Sequence, residues 1–297
     1  DLLYSVAVPA TSGYQTMLKN IGSIENQGYE LSIESDNLTG PFSWTTAFNI
    51  SFNRNKVLEL GGEDYKEMAE GDGHIKTGSV RRLIAGEPIG VFYGYRFDGI
   101  FQNEEECKQQ TSSASPIGVG LRRYKDLNGD GKVDAANDRE ILGDANPKFF
   151  GGLTNTFAYK GFELNVFLQY SYGNKILNYN AMELENPTGG QNAYADMVNR
   201  WTPENPSNIY PKATTNRAIL ASDRFIEDGS YLKLKTLSLS YSFPKINMKH
   251  IQGLRLYVTG QNLLTWTKYR GYDPEVSYRG ASTLEAGEDF GGYPQSR

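Results

Sequence analysis

Apolar and polar residues alternate with a period of two along much of this chain. Over 42–52 one set of alternate positions is largely aromatic or aliphatic, and the other set carries Ser, Thr and Asn. The same alternation recurs over 162–172 and 237–243, and in shorter form at 29–33 and 254–258. Successive side chains of a β-strand point to opposite faces, so this pattern predicts strands with one apolar face. Helical periodicity is scarce, and the predicted fold class is all-β and antiparallel.

The predicted strands are long, and aromatic residues gather near their ends. Several strands exceed the usual length of about five or six residues. The aromatic residues near strand ends are Tyr170, Tyr172, Tyr241, Phe243 and Trp266. A membrane β-barrel predicts both features, because its strands of about 9–11 residues carry aromatic girdles at the two interfaces. Periodicity alone leaves a large soluble β-sandwich or solenoid open as the alternative.

The connections between these strands are either very short or very long. The segments 37–41 and 159–161 are short, whereas 57–88, 102–147 and 177–228 are long. Outer-membrane barrels have this asymmetry, with short periplasmic turns and long external loops. A compact soluble domain rarely carries several long irregular loops. The connections therefore favour an antiparallel transmembrane β-barrel portion with long extracellular loops.

Composition narrows the function classes. The chain of 297 residues has 30 basic and 35 acidic residues, a net charge of −5, which argues against a nucleic-acid partner. Its one cysteine, Cys107, excludes an internal disulfide, and its two histidines make a His-rich zinc site improbable. No nucleophile or acid–base constellation stands out, although a carboxylate pair among the many acids is not ruled out by one sequence. The chain is therefore predicted not to be an enzyme.

Six motifs resemble one family of membrane proteins, and they occur in that family's order across nearly the whole chain. The motifs are NIGSIENQGYELSI (20–33), GEPIGVFYGYRFDGIF (86–101), DLNGDGKVD (126–134), RWTPENPS (200–207), FIEDGSYLKLKTLSLSYSFP (225–244) and GLRLYVTGQNLLTWTKYRGYDPEV (253–276). The chain resembles the carboxy-terminal part of SusC/RagA-type TonB-dependent outer-membrane transporters. Several ordered matches make this resemblance far more specific than any single motif.

The resemblance implies the architecture and the partners. Such a transporter is a barrel of about 22 strands with an amino-terminal plug. It lies in the outer membrane of a Gram-negative bacterium, works with a SusD-like lipoprotein, is powered by the TonB complex and imports oligosaccharides or, in some members, peptides. Residues 1–297 would then be the carboxy-terminal part of the barrel, with the plug, the TonB-contacting segment and the last strand absent.

Strand direction gives a layout that the structure can test. If the last strand of the barrel ends in the periplasm, the predicted strands alternate in direction and the loops 102–147 and 177–228 lie outside the cell, as does the segment 267–297. The number of membrane-spanning strands between 57 and 147 must then be even, and zero and two both fit. The predicted strands are 28–36, 42–56, 148–159, 161–174, 231–243 and 254–266.

The segment 126–138, within the predicted external loop 102–147, begins like a calcium-binding loop. Asp and Asn at alternate positions can direct oxygens at one centre, and Gly131 follows where such a loop turns sharply. The acid expected at the twelfth position is displaced, because Asn137 stands there and Asp138 is one residue later. The predicted ligands of a structural Ca²⁺ are Asp126, Asn128, Asp130, Lys132 through its carbonyl, Asp134 and Asp138. The alternative is an Asx/Gly turn that needs no ion.

Aromatic residues of the long loops are the candidates for contact with a substrate or a partner. Flat apolar rings suit sugar rings, and Tyr and Trp are also common at protein interfaces. The candidates are Tyr194, Trp201, Tyr210, Trp266, Tyr269 and Tyr272. For Trp201 a structural role is favoured, because it lies in the widely shared RWTPENPS motif.

The leading function is TonB-dependent import of oligosaccharides or peptides across the outer membrane. The main alternative is a surface or secreted glycan-binding β-protein with a calcium-stabilised loop, and a second alternative is a secreted glycan-degrading enzyme. Dependence on detergent separates the first from the second, and turnover of a glycan panel would indicate the third.

Overall fold

A computed structural model describes residues 2–7, 11, 13–14, 16–68, 78–186, 192–215, 219–243, 253–278 and 283–292. The strands are Leu2–Ala7 (β1), Thr16–Leu38 (β2), Phe42–Glu59 (β3), Tyr65–Glu67 (β4), Arg82–Ile84 (β5), Val91–Tyr95 (β6), Phe97–Ile100 (β7), Thr111–Ser112 (β8), Arg122–Tyr124 (β9), Lys132–Val133 (β10), Arg139–Asp144 (β11), Phe149–Tyr159 (β12), Phe162–Tyr172 (β13), Lys175–Asn178 (β14), Ile226–Asp228 (β15), Tyr231–Phe243 (β16), Leu254–Thr267 (β17) and Glu288–Asp289 (β18). The helices are Glu104–Gln109 (α1), Tyr179–Leu184 (α2) and the short 3-10 helices Ala195–Asn199, Asp223–Phe225 and Thr283–Glu285. No helix among the described residues is long and apolar enough to cross a membrane.

The described strands include one large antiparallel sheet of seven strands in the order β1-β2-β3-β12-β13-β16-β17. Strands that stand next to each other in this order are hydrogen-bonded antiparallel neighbours, as in an up-and-down barrel wall. At one end of the sheet the connections are tight. The turn between β12 and β13 has only two residues, Lys160 and Gly161, both at positive φ of 47° and 89°, which suits a two-residue hairpin.

The strands predicted from alternation are confirmed, with ends that shift by a few residues. β3, β12, β13, β16 and β17 correspond to five of the predictions. The sixth, at 28–36, is only the end of a longer strand, because β2 runs over 23 residues. β1 was not predicted, since LLYSVA does not alternate between apolar and polar residues.

Among the described residues between β3 and β12, none forms a strand of the large sheet. β12 pairs directly with β3, with Leu153 opposite Phe48 and Phe157 opposite Trp44. The layout allowed zero or two additional membrane-spanning strands in this segment, and the described structure has none. The chain leaves the sheet at the end of β3, forms a separate body and returns beside the strand it left.

The register sorts the sheet into one apolar and one polar face. Residues directly opposite each other in an antiparallel pair share a face, and the apolar positions of neighbouring strands coincide. Thus Leu164 pairs with Phe157 on one side and Leu239 on the other, and Leu239 pairs with Val258. The polar face carries the alternate residues, which are mostly Ser, Thr, Asn, Gln and Glu, such as Asn49 opposite Ser32.

Two aromatic belts bound the apolar face. At the turn end, Phe42 stacks near Phe157 and Phe162 packs against Tyr241 with ring centroids 6.4 and 4.5 Å apart. At the other end the belt consists of Phe52, Phe149, Tyr170, Tyr172 and Trp266, with Phe149 and Tyr172 stacked at 5.1 Å. The predicted gathering of aromatic residues at strand ends is confirmed. The 11 residues of β13, at about 3.3 Å each and a tilt of about 40°, separate the belts by about 25 Å, the height of a barrel's apolar band.

Polar residues that fall on the apolar face bond to one another. The side-chain oxygen of Asn155 accepts hydrogen bonds from Trp44 Nε1 at 2.9 Å and from Thr46 Oγ1 at 2.8 Å. Thr46 Oγ1 in turn accepts from the Asn37 amide at 2.7 Å. Such mutual satisfaction is what a non-aqueous surrounding requires, because an unpaired polar group costs several kcal/mol there (roughly 2–7).

The described residues of three long connections lie at the end of the sheet opposite the tight turns, and they pack together as a cap. The first loop is 60–148, the second is 173–230 and the third is 268–292. These loops contain the small sheets β4-β5, β6-β11, β7-β9, β8-β10 and β14-β15-β18. The strand β18 of the third loop pairs with β14 of the second, so backbone hydrogen bonds join separate loops.

The buried apolar core lies in the cap. Its largest cluster joins Val80 and Phe92 of the first loop to Leu177, Met182 and Phe225 of the second. A smaller cluster around Val57, Leu60 and Leu83 fixes the base of the first loop to β3. The expectation of long irregular loops was therefore wrong in one respect: these loops fold around a core of their own. The large sheet is described as a single layer, so it encloses no core against which these loops could pack.

Candidate functional site

The cap lies over the polar face of the sheet at its outer end, and ion pairs attach it there. The ammonium of Lys233, on the polar face of β16, is only 1% exposed and meets Asp273 at 3.0 Å and also Glu275. The register of β16 shifts between Leu234 and Thr236, and this bulge lets Lys235 reach Glu275 as well, at 3.0 Å. Burial raises the pKa of the Glu275 carboxyl, but the hydrogen bonds from Lys233 and Lys235 lower this pKa by more. The net pKa therefore lies below the ordinary value.

A second ion cluster joins the second and third loops. Glu185, at the end of α2, is fully buried and accepts from Arg224 at 2.6 Å and from Arg270 at 2.8 Å. Arg270 also meets Glu227 at 2.8 Å. Burial lowers the pKa of the Arg270 guanidinium, but its hydrogen bonds to Glu185 and Glu227 outweigh this and raise it. Breaking such a buried set by removing one partner leaves an uncompensated charge.

A third ion pair joins the first loop to the third. Arg81 is almost fully buried and pairs with Glu288 at 2.6 Å. Its guanidinium also donates to the carbonyl of Ala286 and lies 4.4 Å from the ring centre of Phe92. Glu288 lies 207 positions away from Arg81, so no local sequence pattern pairs the two residues.

The calcium-like segment is closed in this structure by hydrogen bonds to its own backbone. Asp126 accepts from the amides of Gly129 and Gly131, both at 2.7 Å. Asp138 is fully buried and accepts from the amides of Leu127 and Asp134, also at 2.7 Å each. Asp138, the residue whose position was in question, therefore joins the two ends of the segment.

The other predicted ligands are also engaged. Asp130 accepts from the Lys132 amide at 2.8 Å, and the side chain of Asn128 accepts from the Asp130 amide at 3.2 Å. The Asp134 carboxylate, with its pKa lowered first by the Lys132 ammonium, meets that ammonium at 2.9 Å. Across the described residues, no three His, Cys, Asp or Glu side chains converge as a metal-binding group. The hydrogen bonds match the Asx/Gly turn, while the side chains remain an all-oxygen donor set of the kind Ca²⁺ accepts.

The six aromatic candidates fall into different environments. Trp201 joins two loops, since its Nε1 donates to Gln102 at 3.0 Å and its ring packs over Gly120. Tyr269 is only 5% exposed and donates to Asp289, and both burial and that bond raise its pKa. Tyr269 is buried and Trp201 is only partly exposed, so both positions favour structural roles.

Two further candidates are held by neighbouring side chains, and the last two are exposed on different surfaces. Tyr194 packs half-buried against the main core of the cap, and Tyr210 bonds to Asp196 at 3.3 Å beneath the Arg224 guanidinium. Trp266 is exposed, but it lies opposite Leu232 on the apolar face, within an aromatic belt. Tyr272, at 80% exposure on the third loop, is the candidate best placed to contact another molecule.

The charged residues that hold the cap together were missed by the sequence reasoning. They are Glu185, Arg224, Arg270, Lys233, Asp273, Glu275 and Glu288. The only available signal was that Lys233 interrupts an alternating strand on a face otherwise rich in small polar residues. Their partners are far apart in sequence, and no local pattern pairs them.

Comparisons with known proteins agree with this architecture. The chain is 40% identical over 304 residues to the TonB-dependent receptor P3 of Formosa agariphila and 34% identical over 305 residues to receptor P26 of the same bacterium. It is 28% identical over 310 residues to the TonB-dependent receptor SusC of Bacteroides thetaiotaomicron. Each match covers 100% of this chain, which spans only 28–30% of these relatives. No protein-family model matches.

Solved structures share the fold. The RagAB peptide transporter superimposes with a TM-score of 0.77 at 24% identity, covering 99% of this chain and 30% of that chain. The RagAB peptide importer in its open-open state gives a TM-score of 0.74 at 23% identity, with the same coverage.

The sheet, its aromatic belts and the cap define the class of protein. The chain is part of the wall of a transmembrane β-barrel, and the long loops of one end fold over the lumen. The apolar face is then the lipid-facing surface and the polar face the lumen-facing surface. The matches run over the whole of this chain and specify the family: the chain belongs to the SusC/RagA-type TonB-dependent receptors. A carboxy-terminal position of this segment within the barrel fits these matches.

Proposed function

We propose that the protein to which this segment belongs imports oligosaccharides across the outer membrane of a Gram-negative bacterium, with energy from the TonB complex. The observation that carries the proposal is the two-sided wall, with its lipid-facing surface between aromatic belts and its lumen-facing surface beneath the cap. The named relatives are TonB-dependent receptors. In the orientation that we propose, the cap with the loop 102–147 lies outside the cell and the tight turns lie in the periplasm.

The character of the lumen surface supports an oligosaccharide. Hydroxyl and amide groups line it, with Ser238 bonded to Thr259 at 2.8 Å and Asn165 bonded to Thr156 at 3.0 Å. Such groups donate to and accept from sugar hydroxyls without demanding a charged ligand. A peptide is the second candidate, because the structural neighbours are described as a peptide transporter.

Uptake by cells tests the proposal and separates the two substrates. A strain lacking the full-length gene is supplied with radiolabelled oligosaccharides and peptides, and is compared with the same strain carrying the gene. We expect the gene to restore uptake of an oligosaccharide class, and a protonophore to abolish uptake but not surface binding. If the gene restores uptake of peptides alone, the substrate is a peptide and not an oligosaccharide. A full-length protein that is soluble without detergent and absent from the outer membrane would refute the transporter itself.

A SusD-like lipoprotein is the proposed partner. The cap presents exposed apolar side chains on its second and third loops: Val198 is 75%, Ile209 51% and Tyr272 80% exposed. A contiguous exposed apolar patch marks an interaction site, and we propose that these side chains contribute to one. We expect a lipoprotein to copurify with the full-length receptor, and the triple substitution Val198→Ser, Ile209→Ser and Tyr272→Ser to reduce its recovery.

We also propose that the segment 126–138 takes up a structural Ca²⁺. The support is the oxygen-only donor set at alternate positions, together with the sharp turn at Gly131, whose φ is 79°. Addition of a chelator to the full-length protein is expected to lower its thermal stability. Asp126→Ala and Asp130→Ala should remove this dependence, whereas Asn137→Ala, outside the proposed ligand set, should retain it. An unchanged melting temperature on chelation would leave the Asx/Gly turn as the whole explanation.

A further inference from the structure

A small cavity lies inside the cap, between its first and second loops. Its volume is about 40 Å³, which accommodates an ion the size of chloride, since about 10–15 Å³ already holds a water molecule. Arg122 and Tyr124 of β9 line the cavity from the first loop, and Asn186 and Thr214 line it from the second. The Ser115 hydroxyl adds a further polar group, and none of the eight described lining residues is acidic.

The strand β9 places two consecutive arginines in different environments. Side chains at alternate positions of a strand share a face, so Arg122 and Tyr124 lie on the face that borders the cavity. Arg123 lies on the opposite face, where it meets Asp98 at 2.9 Å and Glu106 at 3.4 Å. Arg123 therefore has acidic partners, whereas its neighbour lies beside a cavity without acids.

The guanidinium of Arg122 is not paired with a carboxylate of the described structure. Its Nε atom is buried and has no hydrogen-bond acceptor among the described residues. Its Nη2 atom donates to the backbone carbonyl of Glu185 at 3.1 Å. The carboxylate of Glu185 is engaged instead by Arg224 at 2.6 Å and by Arg270 at 2.8 Å. The positive charge beside the cavity therefore lacks a counter-ion in the described protein.

A second cation adds to the positive potential at this place. The guanidinium groups of Arg122 and Arg224 lie 5.8 and 5.9 Å from the ring centre of Phe225. Burial lowers the pKa of Arg122, and the charge of Arg224 lowers it further, while Tyr124 and Glu185 act in the opposite direction without restoring it. Two like charges repel strongly where water is excluded, so a negative charge in the cavity would stabilise this part of the cap.

Hydrogen-bond donors surround the same space. Tyr124 is only 3% exposed, and its hydroxyl oxygen accepts a hydrogen bond from the backbone of Leu220. The hydroxyl hydrogen can rotate and donate to a ligand. The amide of Asn186 and the hydroxyl of Ser115 have the same capacity. The cavity thus combines a buried cation with neutral donors, which is the composition of an anion site.

We propose that this cavity binds a small inorganic anion, of the size of chloride, which pairs with Arg122 and joins the first loop of the cap to the second. The Nε atom of Arg122 and the hydroxyl of Tyr124 are its donors. A water molecule could accept the same hydrogen bonds, but it would leave the charge uncompensated, and a buried charge without a partner is costly. The site lies within the cap and is independent of the substrate proposed above.

The dependence of local stability on chloride tests the proposal. Hydrogen exchange of the amides from 120 to 124 is measured in the full-length receptor at constant ionic strength, with chloride replaced stepwise by gluconate, an anion larger than the cavity. An ion that binds only the closed cap should slow this exchange and then saturate. We expect protection to rise about tenfold at ten times the half-saturating chloride concentration. Exchange that does not respond to chloride would overturn the proposal.

Three substitutions on β9 locate the effect. Arg122→Gln should abolish the response to chloride. Tyr124→Phe removes one donor and no charge, and it should raise the half-saturating concentration at least about tenfold, because a hydrogen bond to a charged group is lost. Arg123→Gln removes the same charge from the opposite face and should keep the parent value. An unchanged half-saturating concentration in Tyr124→Phe, or equal losses in Arg122→Gln and Arg123→Gln, would contradict the site.

Anomalous scattering shows where the ion lies. Crystals of the full-length receptor grown in bromide should have a bromine peak within hydrogen-bonding distance of Arg122 Nε. Such a peak without any effect of chloride in solution would mean an adventitious ion only and would overturn the proposal. Acetate is the last comparison: slower exchange with acetate but not with chloride would overturn the inorganic anion and assign the cavity to a carboxylate.

Discussion

The side chain of Asp138 holds the two ends of the segment 126–138 together. It is fully buried and accepts amide hydrogens from Leu127 and Asp134, 11 and 4 positions away. Hydrogen bonds to a charged acceptor are worth about 1.5–3 kcal/mol each, and an amide left unpaired in a buried place is costly. The single carboxylate thus holds both ends of the segment 126–138, whether or not an ion is bound.

Replacement of Asp138 tests this role. In the full-length protein with chelator present, Asp138→Ala should lower the free energy of local opening of this segment by about 2–4 kcal/mol, because two part-buried amides lose their acceptor. Hydrogen exchange of the amides from 124 to 139 measures the change. Asn137→Ala, at an exposed neighbouring position, should alter it by less than about 0.5 kcal/mol. Similar exchange in both variants would mean that Asp138 does not close the loop.

At the scale of elements, sequence patterns predicted the wall better than the cap. Alternation located β3, β12, β13, β16 and β17, because a lipid-facing row must be apolar along its whole length. The cap strands are two to six residues long, too short to show a period. The cap is held by charges such as Glu185 and Arg270, whose partners come from different loops. Spatial pairing of this kind leaves no local trace in a single sequence.

The candidate site was predictable to the same limited degree. The Asp/Asn spacing of 126–130 coincides with an ordered turn, since Asp126 accepts hydrogen bonds from the amides of Gly129 and Gly131, and the Ca²⁺ site stays a prediction. Trp201 was expected to be structural, and its bond to Gln102 agrees with that expectation. Whether Tyr269 is buried or exposed depends on where Asp289 lies in space, and spacing along the chain does not reveal this.

The attachment of the third loop to β16 should depend on pH. The folded pKa of Glu275 lies below its ordinary value of 4.5, because the bonds from Lys233 and Lys235 outweigh burial. The stabilisation is therefore complete above pH 4.5 and is lost as pH falls through the lower folded value. Hydrogen exchange of amides 268–278 in the full-length protein should accelerate over that acidic range.

Glu275→Gln provides the comparison. This variant should exchange faster already at neutral pH, since the buried Lys233 loses one of its two acidic partners, and its response to acid should be flatter. An identical acid response in the variant and the parent protein would show that other groups control the attachment.

At the scale of the whole molecule, the two faces of the wall should tolerate opposite changes. Val166 lies on the lipid-facing row in the middle of β13, and its neighbour Asn165 lies on the lumen-facing row. An Arg near the middle of a lipid-facing surface costs about 2–4 kcal/mol. We expect Val166→Arg to reduce the stability of the full-length barrel in vesicles by this amount, measured by denaturant titration.

Asn165→Arg is the control on the opposite face. Its side chain enters a polar, water-accessible surface, so stability should change by less than about 1 kcal/mol. If the two substitutions cost the same, the assignment of the lipid-facing and lumen-facing surfaces would be wrong.

The direct pairing of β3 with β12 has a consequence for how such receptors diversify. The intervening residues 60–148 leave and re-enter the wall at adjacent strands, so their length and fold place no demand on the register of the barrel. The segment can therefore vary without shifting the wall, provided that its contacts with the core of the cap are kept. Matches to relatives extend over 304 to 345 aligned positions for this 297-residue chain, so insertions are tolerated in the family. Changes in the length of this segment therefore need not disturb a membrane wall that already folds.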